Sequence, residues 1–284
     1  VNKSQLTQLI TYLTKTTDIF VVIDHEGGIV NRLTHESFDL KTPSPESFCK
    51  LPKSEQQIVA KKISSTLRDV GINTNLGGVV DIAPYIYQSS ICKYKRCFGD
   101  NQDKISACTS VLINSHDEED VFFALKHFPG HGSTPVDSHY DLPDISTSHS
   151  EYDFMPYHQL FNQSSNYQMV MIGHLMNDQF DNKYPASLSK KHINYLTNEL
   201  NYKGLIITDD LNMGALYKFS RNKTKIATMA LAAGNHLLLF EYLTYQQIKD
   251  INETLANESK TSVSLNKHLL SSYDLIDSSL IFND

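Results

Sequence analysis

Residues 121–139 read VFFALKHFPGHGSTPVDSH, an apolar run that passes without a break into a loop rich in His, Gly, Pro and Asp. The first six residues have the length and the aromatic and branched content of a buried β-strand. In α/β proteins with parallel sheets, functional side chains follow the carboxyl ends of the strands. The segment therefore indicates an α/β fold with a functional site in the loop after this strand.

The rest of the chain alternates short apolar runs with longer amphipathic stretches, the pattern of a parallel sheet wrapped by helices. Further strands are predicted at 20–24, within 72–82, and at 168–173, 204–208 and 236–240. Helices are predicted at 5–14, 54–70, 104–115, 152–162, 189–201, 223–233, 245–257 and 265–280. Ser54 and Ser189 are predicted N-caps, and Gly71 and Gly234 are predicted to end their helices. Periodicity alone leaves a barrel and an open doubly wound sheet as alternatives.

Length and composition narrow the class of protein. A chain of 284 residues without a Pro- and Gly-rich linker or an internal repeat is predicted to form one domain over 1–284. The formal net charge of −7 argues against a nucleic-acid partner, which would need a basic face. No apolar run approaches the ~20 residues of a membrane span, so no membrane partner is expected. A monomer is expected.

The four cysteines, Cys49, Cys92, Cys97 and Cys108, form no C-x-x-C pair. A chain of this size does not need disulfides to be stable. Free thiols in a reducing compartment are therefore predicted, and a Cys92–Cys97 pair is the alternative if a loop brings the two residues together.

Titratable groups follow five of the predicted strands where each apolar run ends: Asp24 and Glu26, Asp81, Lys126 and His127, His174, and Asp209 and Asp210. Because the carboxyl ends of parallel strands share one edge, these groups predict a site whatever its reaction. Taken singly, each has a plainer interpretation. Asp81 and Asp210 could cap the helices that follow, and His174 could be a core histidine. Asp24 or Glu26 could simply pair with Arg32.

The loop at 126–139 is compatible with two chemistries. A metal site could use His127, His131, Asp137 and His139, but their spacing matches no common zinc pattern. The other is an acid–base pair of Asp137 and His139, since one intervening residue in an extended loop places both side chains on the same side. The carboxylate would then orient the imidazole and stabilise its charged form.

Six blocks of sequence resemble glycoside hydrolase family 3, in its bacterial β-N-acetylglucosaminidase branch. They are DHEGG at 24–28 with Arg32, RCFG at 96–99, KHFPGHG at 126–132 with DSH at 137–139, His174, PASLS at 185–189 and TDDLNM at 208–213. The blocks stand in the family's order and cover most of the chain up to about residue 240. The KHFPGHG and DSH pair at this spacing is highly specific.

The resemblance implies a TIM-type (β/α)8 barrel and a retaining exo-β-N-acetylglucosaminidase that needs no cofactor and no metal. It implies Asp209 as nucleophile and His139 as acid/base, with Asp137 behind it and His131 in a structural role. A histidine can donate a proton to the leaving oxygen and later accept one near neutral pH. The terminal sugar would be held by Asp24, Arg32, Arg96, Lys126, His127 and His174.

The resemblance also suggests muropeptide fragments as substrates, in cytoplasmic peptidoglycan recycling. A related phosphorylase or β-glucosidase, an inactive truncated relative that binds sugar, and a metal hydrolase are the alternatives. Three departures from the family's pattern accompany it. One βα unit with the first strand is expected to be missing before Val1, which would leave an open seam. Ile29 stands where the family usually has Arg, and Gly77-Gly78 replaces a usual Ala-Pro.

Overall fold

Five parallel β-strands define the fold, and they are hydrogen-bonded to one another in chain order. They are β1 (Val22–Ile23), β2 (Thr74–Val79), β3 (Phe122–Phe128), β4 (Gln168–Ile172) and β5 (Leu205–Thr208). The computed structural model describes residues 1–83, 88–163 and 168–281. An open doubly wound sheet reverses its strand order at a switch point, whereas unbroken chain order is the winding of a barrel. The structure therefore favours the barrel.

The predicted sixth strand at 236–240 continues this order without becoming a full strand. Leu237 forms a single parallel bridge with Ile207 of β5, and the amides of His236 and Leu237 donate to the carbonyl of Ile206. Within the described residues the sheet is not closed, because β1 pairs only with β2. The prediction of a TIM-type barrel that is incomplete in this chain is confirmed.

Helices occupy the connections between strands and the last part of the chain. They are α1 (Lys3–Leu13), α2 (Pro45–Phe48), α3 (Lys53–Asp69), α4 (Gln102–Asp117), α5 (Met155–Phe161), α6 (Lys190–Asn194), α7 (Lys223–Ala233), α8 (Tyr245–Thr261) and α9 (Val263–Ile281). All predicted helices are present, although α6 continues as a π-turn and α5 is preceded by a 3₁₀ turn. The short α2 was not predicted. None of the helices in the described ranges is both long and apolar enough to cross a bilayer.

The ends of the helices test the predicted capping residues. Ser189 accepts a backbone hydrogen bond at the start of α6, as predicted. Gly71 and Gly234 end α3 and α7 with left-handed φ angles of 87° and 116°, also as predicted. The prediction for Ser54 is wrong, because α3 begins directly after Pro52, which has no side-chain acceptor. The fixed φ of proline is compatible with a helix start.

The strands have one face toward the helices and one toward the barrel interior. On β3, Phe123 joins the large apolar core shared with the helices, while Phe122 joins a smaller cluster with residues of β4 and β5. Successive side chains point to opposite faces of a strand, so the smaller cluster fills the interior. Leu275 and Ile276 of α9 pack against this cluster. Its Met171 also lines a cavity at the carboxyl ends of the strands.

The prediction of free thiols is wrong. Cys49 at the end of α2 is bonded to Cys108 on α4, and Cys92 is bonded to Cys97. The Cα–Cα distances of 5.5 and 4.9 Å lie in the range of ordinary disulfides. Packing of α2 beside α4 creates the first pair, and a turn with Lys95 at φ 63° creates the second. The Cys92–Cys97 pair is the alternative that the sequence left open, whereas the Cys49–Cys108 pair was not predicted.

Candidate active site

A cavity of about 240 Å³ opens at the carboxyl ends of the strands. A volume below the ~300–1,000 Å³ of common small-molecule pockets suits one small ligand. With the exception of His174, all the predicted site residues line it: Asp24, Arg32, Arg96, Lys126, His127, Asp137, His139 and Asp209. The structure therefore brings together, from loops far apart in sequence, nearly the whole predicted site.

Charges at the floor of the cavity form one network around Glu26, whose side chain is fully buried. Arg96 donates two hydrogen bonds to the Glu26 carboxylate, at 2.7 and 2.8 Å, and the Lys126 ammonium lies 2.8 Å from it. Lys126 also lies 2.6 Å from Asp24. Burial alone raises the pKa of Glu26, but the charges of Lys126 and Arg96 outweigh it and lower this pKa to about 2. Both cations are therefore held in place beside Asp24.

Arg32 does not form the salt bridge that the sequence allowed. Glu26 pairs with Arg96 and Lys126 instead. Among the described residues Arg32 has no ion-pair partner, and it lies exposed on the cavity wall. The sequence placed Glu26 among the titratable groups at the strand ends, but it suggested Arg32 rather than Arg96 as a possible partner. The structure instead makes Glu26 the acceptor that orients Arg96.

Asp81, at the end of the segment that continues β2, anchors the imidazole of His127. One Asp81 oxygen lies 2.7 Å from Nδ1 of His127, and the other accepts from the amides of His127 and His131 at 3.1 and 2.7 Å. Burial raises the pKa of Asp81, but interactions with His127 lower it overall. Asp81 is therefore an anchor rather than a helix cap. With Nδ1 occupied, Nε2 is the nitrogen of His127 that remains for a ligand.

Asp209 follows β5 directly and is buried in the cavity wall. Its amide donates to the carbonyl of Ile172 on β4 at 2.9 Å, and its Oδ1 accepts from the Asp210 amide at 2.8 Å. Burial raises the pKa of Asp209, but charge interactions with His127 and His174 outweigh it and lower the pKa below its usual value. The structure therefore holds an ionised carboxylate at a rigid strand end.

Asp210 has a different task. Its Oδ1 accepts hydrogen bonds from the amides of Asn212 and Glu241 at 3.0 and 2.9 Å. These bonds join the turn after β5 to the segment after the predicted sixth strand. The neighbouring aspartates are thus divided between a cavity position and a turn-forming position. The interpretation of Asp210 as a helix cap is wrong, because the next helices begin after Met213 and Asn222.

Asp137 and His139 form the hydrogen-bonded pair that their spacing predicted. Nδ1 of His139 lies 2.8 Å from Oδ1 of Asp137, and the same oxygen accepts from the His139 amide at 3.0 Å. Burial raises the pKa of Asp137, but these two hydrogen bonds lower it overall. The His139 side chain is 61% exposed, so its other nitrogen can reach a group at the mouth of the cavity.

The loop that contains this pair is fixed to the loop that follows Asp209. The amides of Gly214 and Ala215 donate to the carbonyls of His139 and Ser138 at 3.0 and 3.1 Å. A Cβ on Gly214 would lie 2.7 Å from the His139 carbonyl oxygen, so only glycine permits this approach. The backbone therefore couples the position of His139 to that of Asp209.

His174 is fully buried and does not belong to the cavity wall. Its Nδ1 lies 2.7 Å from the Ser187 hydroxyl, and its Nε2 lies 2.9 Å from the Asp210 carbonyl oxygen. Burial lowers the pKa of His174, which favours a neutral ring. The structure therefore places His174 behind the turn that follows Asp209, where it supports the backbone.

Several residues that line the cavity were not assigned to it from sequence, among them Ile29, Tyr94, Ser138, Met171 and Met213. Tyr94 is close to Arg96 in sequence, and Ile29 directly follows the DHEGG block. Sequence proximity could therefore have identified these two residues. His131, predicted to be structural, is buried with its Nε2 3.4 Å from the Ser138 hydroxyl. Within the described ranges, no three His, Cys, Asp or Glu side chains converge as a metal site requires. The metal-hydrolase alternative lacks a donor set there.

The Cys92–Cys97 disulfide closes a six-residue loop that contains Tyr94 and Arg96, both on the cavity wall. Replacing both cysteines with serine should release Arg96 from its position beside Glu26 and raise KM about tenfold. The cost in stability should be small, about 2 kcal/mol, because the closed loop is short. Steady-state kinetics and thermal unfolding measure the two effects.

The matched control is the double serine variant of Cys49 and Cys108. It removes a disulfide that joins residues 59 apart in sequence. This variant should lose more stability, about 4 kcal/mol, since a disulfide across a longer loop restricts the unfolded chain more. Its KM should be unchanged, because neither cysteine lines the cavity. Equal increases of KM in both double variants would contradict a positioning role for the Cys92–Cys97 bond.

Comparison with known proteins identifies a matching family, related sequences and similar structures. The family model described as the glycosyl hydrolase family 3 N terminal domain matches residues 2–269. Beta-hexosaminidase A of Pseudoalteromonas piscicida is 30% identical over 220 residues, which are 71% of this chain and 36% of that protein. Beta-hexosaminidase of Actinobacillus pleuropneumoniae serotype 3 is 31% identical over 227 residues, 78% of this chain and 64% of that protein. The chain thus spans about a third to two thirds of the length of these two relatives.

Solved structures share the fold at lower sequence identity. The beta-N-acetylhexosaminidase of Beutenbergia cavernae superimposes with a TM-score of 0.85 at 19% identity, over 98% of this chain and 84% of that one. The beta-N-acetylglucosaminidase of Thermotoga maritima superimposes with a TM-score of 0.81 at 23% identity, over 98% of this chain and 59% of that one. At these identities the likeness concerns the fold alone.

Proposed function

This chain belongs to glycosyl hydrolase family 3, and from that premise we propose that it is a retaining exo-β-N-acetylglucosaminidase. The proposed substrates are glycosides with a terminal, β-linked N-acetylglucosamine. The names of the relatives, beta-hexosaminidase in both, support this choice of sugar. The site supports the choice of reaction.

The observation that carries the proposal is the pairing of two unlike groups in one cavity. Asp209 is a buried, ionised carboxylate, and His139 is an exposed imidazole held by Asp137. A retaining glycosidase needs one group to attack the anomeric carbon and another to protonate the leaving oxygen. On the buried side, Arg96 and Lys126, which are paired with Glu26, can donate hydrogen bonds to sugar hydroxyls. The carboxylate of Asp24 can accept them.

In the first step, an oxygen of Asp209 attacks the anomeric carbon while the bond to the leaving oxygen breaks. His139 donates the proton from Nε2 to that oxygen, and Asp137 stabilises the imidazolium before transfer. The products of this step are the free leaving group and a sugar joined to Asp209 through an ester.

In the second step, neutral His139 accepts a proton from water through Nε2, and the water oxygen attacks the same carbon. The ester bond breaks and Asp209 recovers its carboxylate. Two displacements return the sugar with its original anomeric configuration. The backbone coupling of the two loops keeps the acid and the nucleophile in register through both steps.

Muropeptide substrates, peptidoglycan recycling and a monomeric state rest on the family resemblance. The cytoplasm was predicted as the location, but the two disulfides favour an oxidising compartment, where such bonds persist. We propose muropeptides or other N-acetylglucosamine glycosides as substrates. Because of the disulfides, we propose that the protein acts on them outside a reducing compartment.

The test is hydrolysis of an aryl β-N-acetylglucosaminide beside the matching aryl β-glucoside, each with and without inorganic phosphate. We expect kcat/KM at least ~100-fold higher for the acetamido sugar, no dependence on phosphate, and release of the β-anomer seen by NMR. Preference for the glucoside, or sugar release that requires phosphate, would move the assignment to the β-glucosidase or phosphorylase alternative. Absence of all turnover would support an inactive sugar-binding relative.

A further inference from the structure

The mouth of the cavity differs in chemistry from its floor. Lys126, His127 and Asp209 at the floor are buried and polar. Ile29 and Tyr94 also line the cavity, but they are 65% and 50% exposed. Two large apolar side chains therefore stand partly in solvent at the opening of a polar site.

Ile29 is held at the tip of a tight turn. Gly27 and Val30 form a bridge on either side of it, with hydrogen bonds of 3.1 Å in both directions, and Gly27 and Gly28 both have positive φ. Turn tips are usually occupied by polar residues or glycine. Ile29 is thus fixed in an exposed position on the cavity wall, where a ligand in the cavity can contact it.

Tyr94 is held just as firmly. It lies in the loop closed by the Cys92–Cys97 disulfide, and the Lys93 ammonium lies 5.0 Å from the centre of its ring. The amide of Ser90, earlier in the same segment, donates to the Thr134 carbonyl at 2.9 Å. This bond joins the Tyr94 segment to the loop that leads to the acid–base pair.

The position of His139 tells which part of a substrate meets these side chains. A general acid must reach the leaving oxygen, so the leaving group occupies the exposed side of the cavity, where His139 stands. We infer that Ile29 and Tyr94 form a binding platform for the leaving group, an inference that rests on the proposed function. The platform fits a leaving group with an apolar face, a property that an aryl ring shares with the C–H face of a second sugar.

The experiment compares three β-glycosides of N-acetylglucosamine that differ only in the leaving group: a glycosyl azide, a 4-nitrophenyl glycoside and the β-1,4 disaccharide of N-acetylglucosamine. The azide has no face to stack. Tyr94→Ala should lower kcat/KM about tenfold for a leaving group that uses the platform, while the azide changes less than about twofold. Ile29→Ser should give the same pattern with a loss of about threefold. Tyr94→Phe should restore the activity, since it keeps the ring.

Tyr217→Ala is the matched control, because Tyr217 is also 50% exposed but does not line the cavity; it should leave all three substrates unchanged. A loss on the disaccharide alone or on the aryl glycoside alone supports the platform and shows which kind of leaving group it binds. Equal losses on all three substrates, or no loss on any, would overturn it. If the unmodified protein hydrolyses none of the three, the proposed function fails instead.

Discussion

Replacing Asp209 with alanine should reduce turnover of an aryl β-N-acetylglucosaminide by at least ~10⁴-fold, the scale seen when a nucleophile is removed from a catalytic unit. The physical reason is that, among the described residues that line the cavity, every other carboxylate is already paired. Glu26 is held by Arg96 and Lys126, Asp24 by Lys126, and Asp137 by His139. Asp209→Asn should be equally inactive, since an amide keeps the volume of the side chain but is a poor nucleophile. Burst kinetics and thermal unfolding separate chemistry from folding.

The neighbouring aspartate is the control. Asp210→Ala removes the acceptor of the Asn212 and Glu241 amides, and should destabilise the fold by about 1–3 kcal/mol. Its activity should stay within about tenfold of the unmodified protein at a temperature where both are folded. An inactive but folded Asp210→Ala, beside an active Asp209→Ala, would show that the roles of the two aspartates are reversed.

His139→Ala should slow hydrolysis in proportion to how much the leaving group needs a proton. General acid assistance contributes roughly 10²–10⁴-fold, and a nitrophenolate needs little of it because it is a weak base. A sugar alkoxide is a strong base and should show the full loss. Measuring kcat/KM over a series of aryl and sugar leaving groups should give a steeper dependence on leaving-group pKa than in the unmodified protein.

Azide provides the second measurement on the same variant. For a good leaving group the second step should limit turnover in His139→Ala, and added azide should attack the ester on Asp209 without base assistance. The expected result is faster turnover and a glycosyl azide product. Asp137→Ala should show a weaker form of both effects, since it removes the partner that orients Nδ1 of His139 but not the group that transfers the proton. Losses that are equal for every leaving group, with no response to azide, would assign His139 a purely structural role in the loop.

Some parts of the site follow from short stretches of sequence. Asp137 and His139 are separated by one residue, and the hydrogen bonds between them involve only that turn of backbone. β3, β4 and β5 were predicted to within two residues at each end, because each is a continuous apolar run next to glycine or a polar loop. The segment at 236–240 has the same composition, yet it forms only one bridge with β5. Its composition predicts that the segment is buried. Whether it forms a strand also depends on a neighbouring strand with which it can pair.

Contacts over long separations could not be read in this way. The sequence contains two arginines suited to pair with Glu26, and charge attraction does not choose between them. The structure chooses Arg96, 70 residues away, because the loops after β1 and β2 meet at the same edge of the sheet. The direction of His174 was equally open, since a histidine after a strand can point into the cavity or behind it. Its hydrogen bonds to Ser187 and to the Asp210 carbonyl fix it behind.

The sequence by itself predicted an α/β fold and, through its resemblance to glycoside hydrolase family 3, a barrel with Asp209 after β5 and the Asp137–His139 pair after β3 as candidate reactive groups. Apolar run length, turn residues and motif spacing are local properties of the sequence, so they can be recognised without a structure. Only the tertiary structure decided that the cysteines pair, which arginine Glu26 orients, and that Ile29 and Tyr94 stand at the mouth of the cavity. Those features depend on how loops from different strands pack against one another. That packing cannot be predicted from any single segment of the sequence.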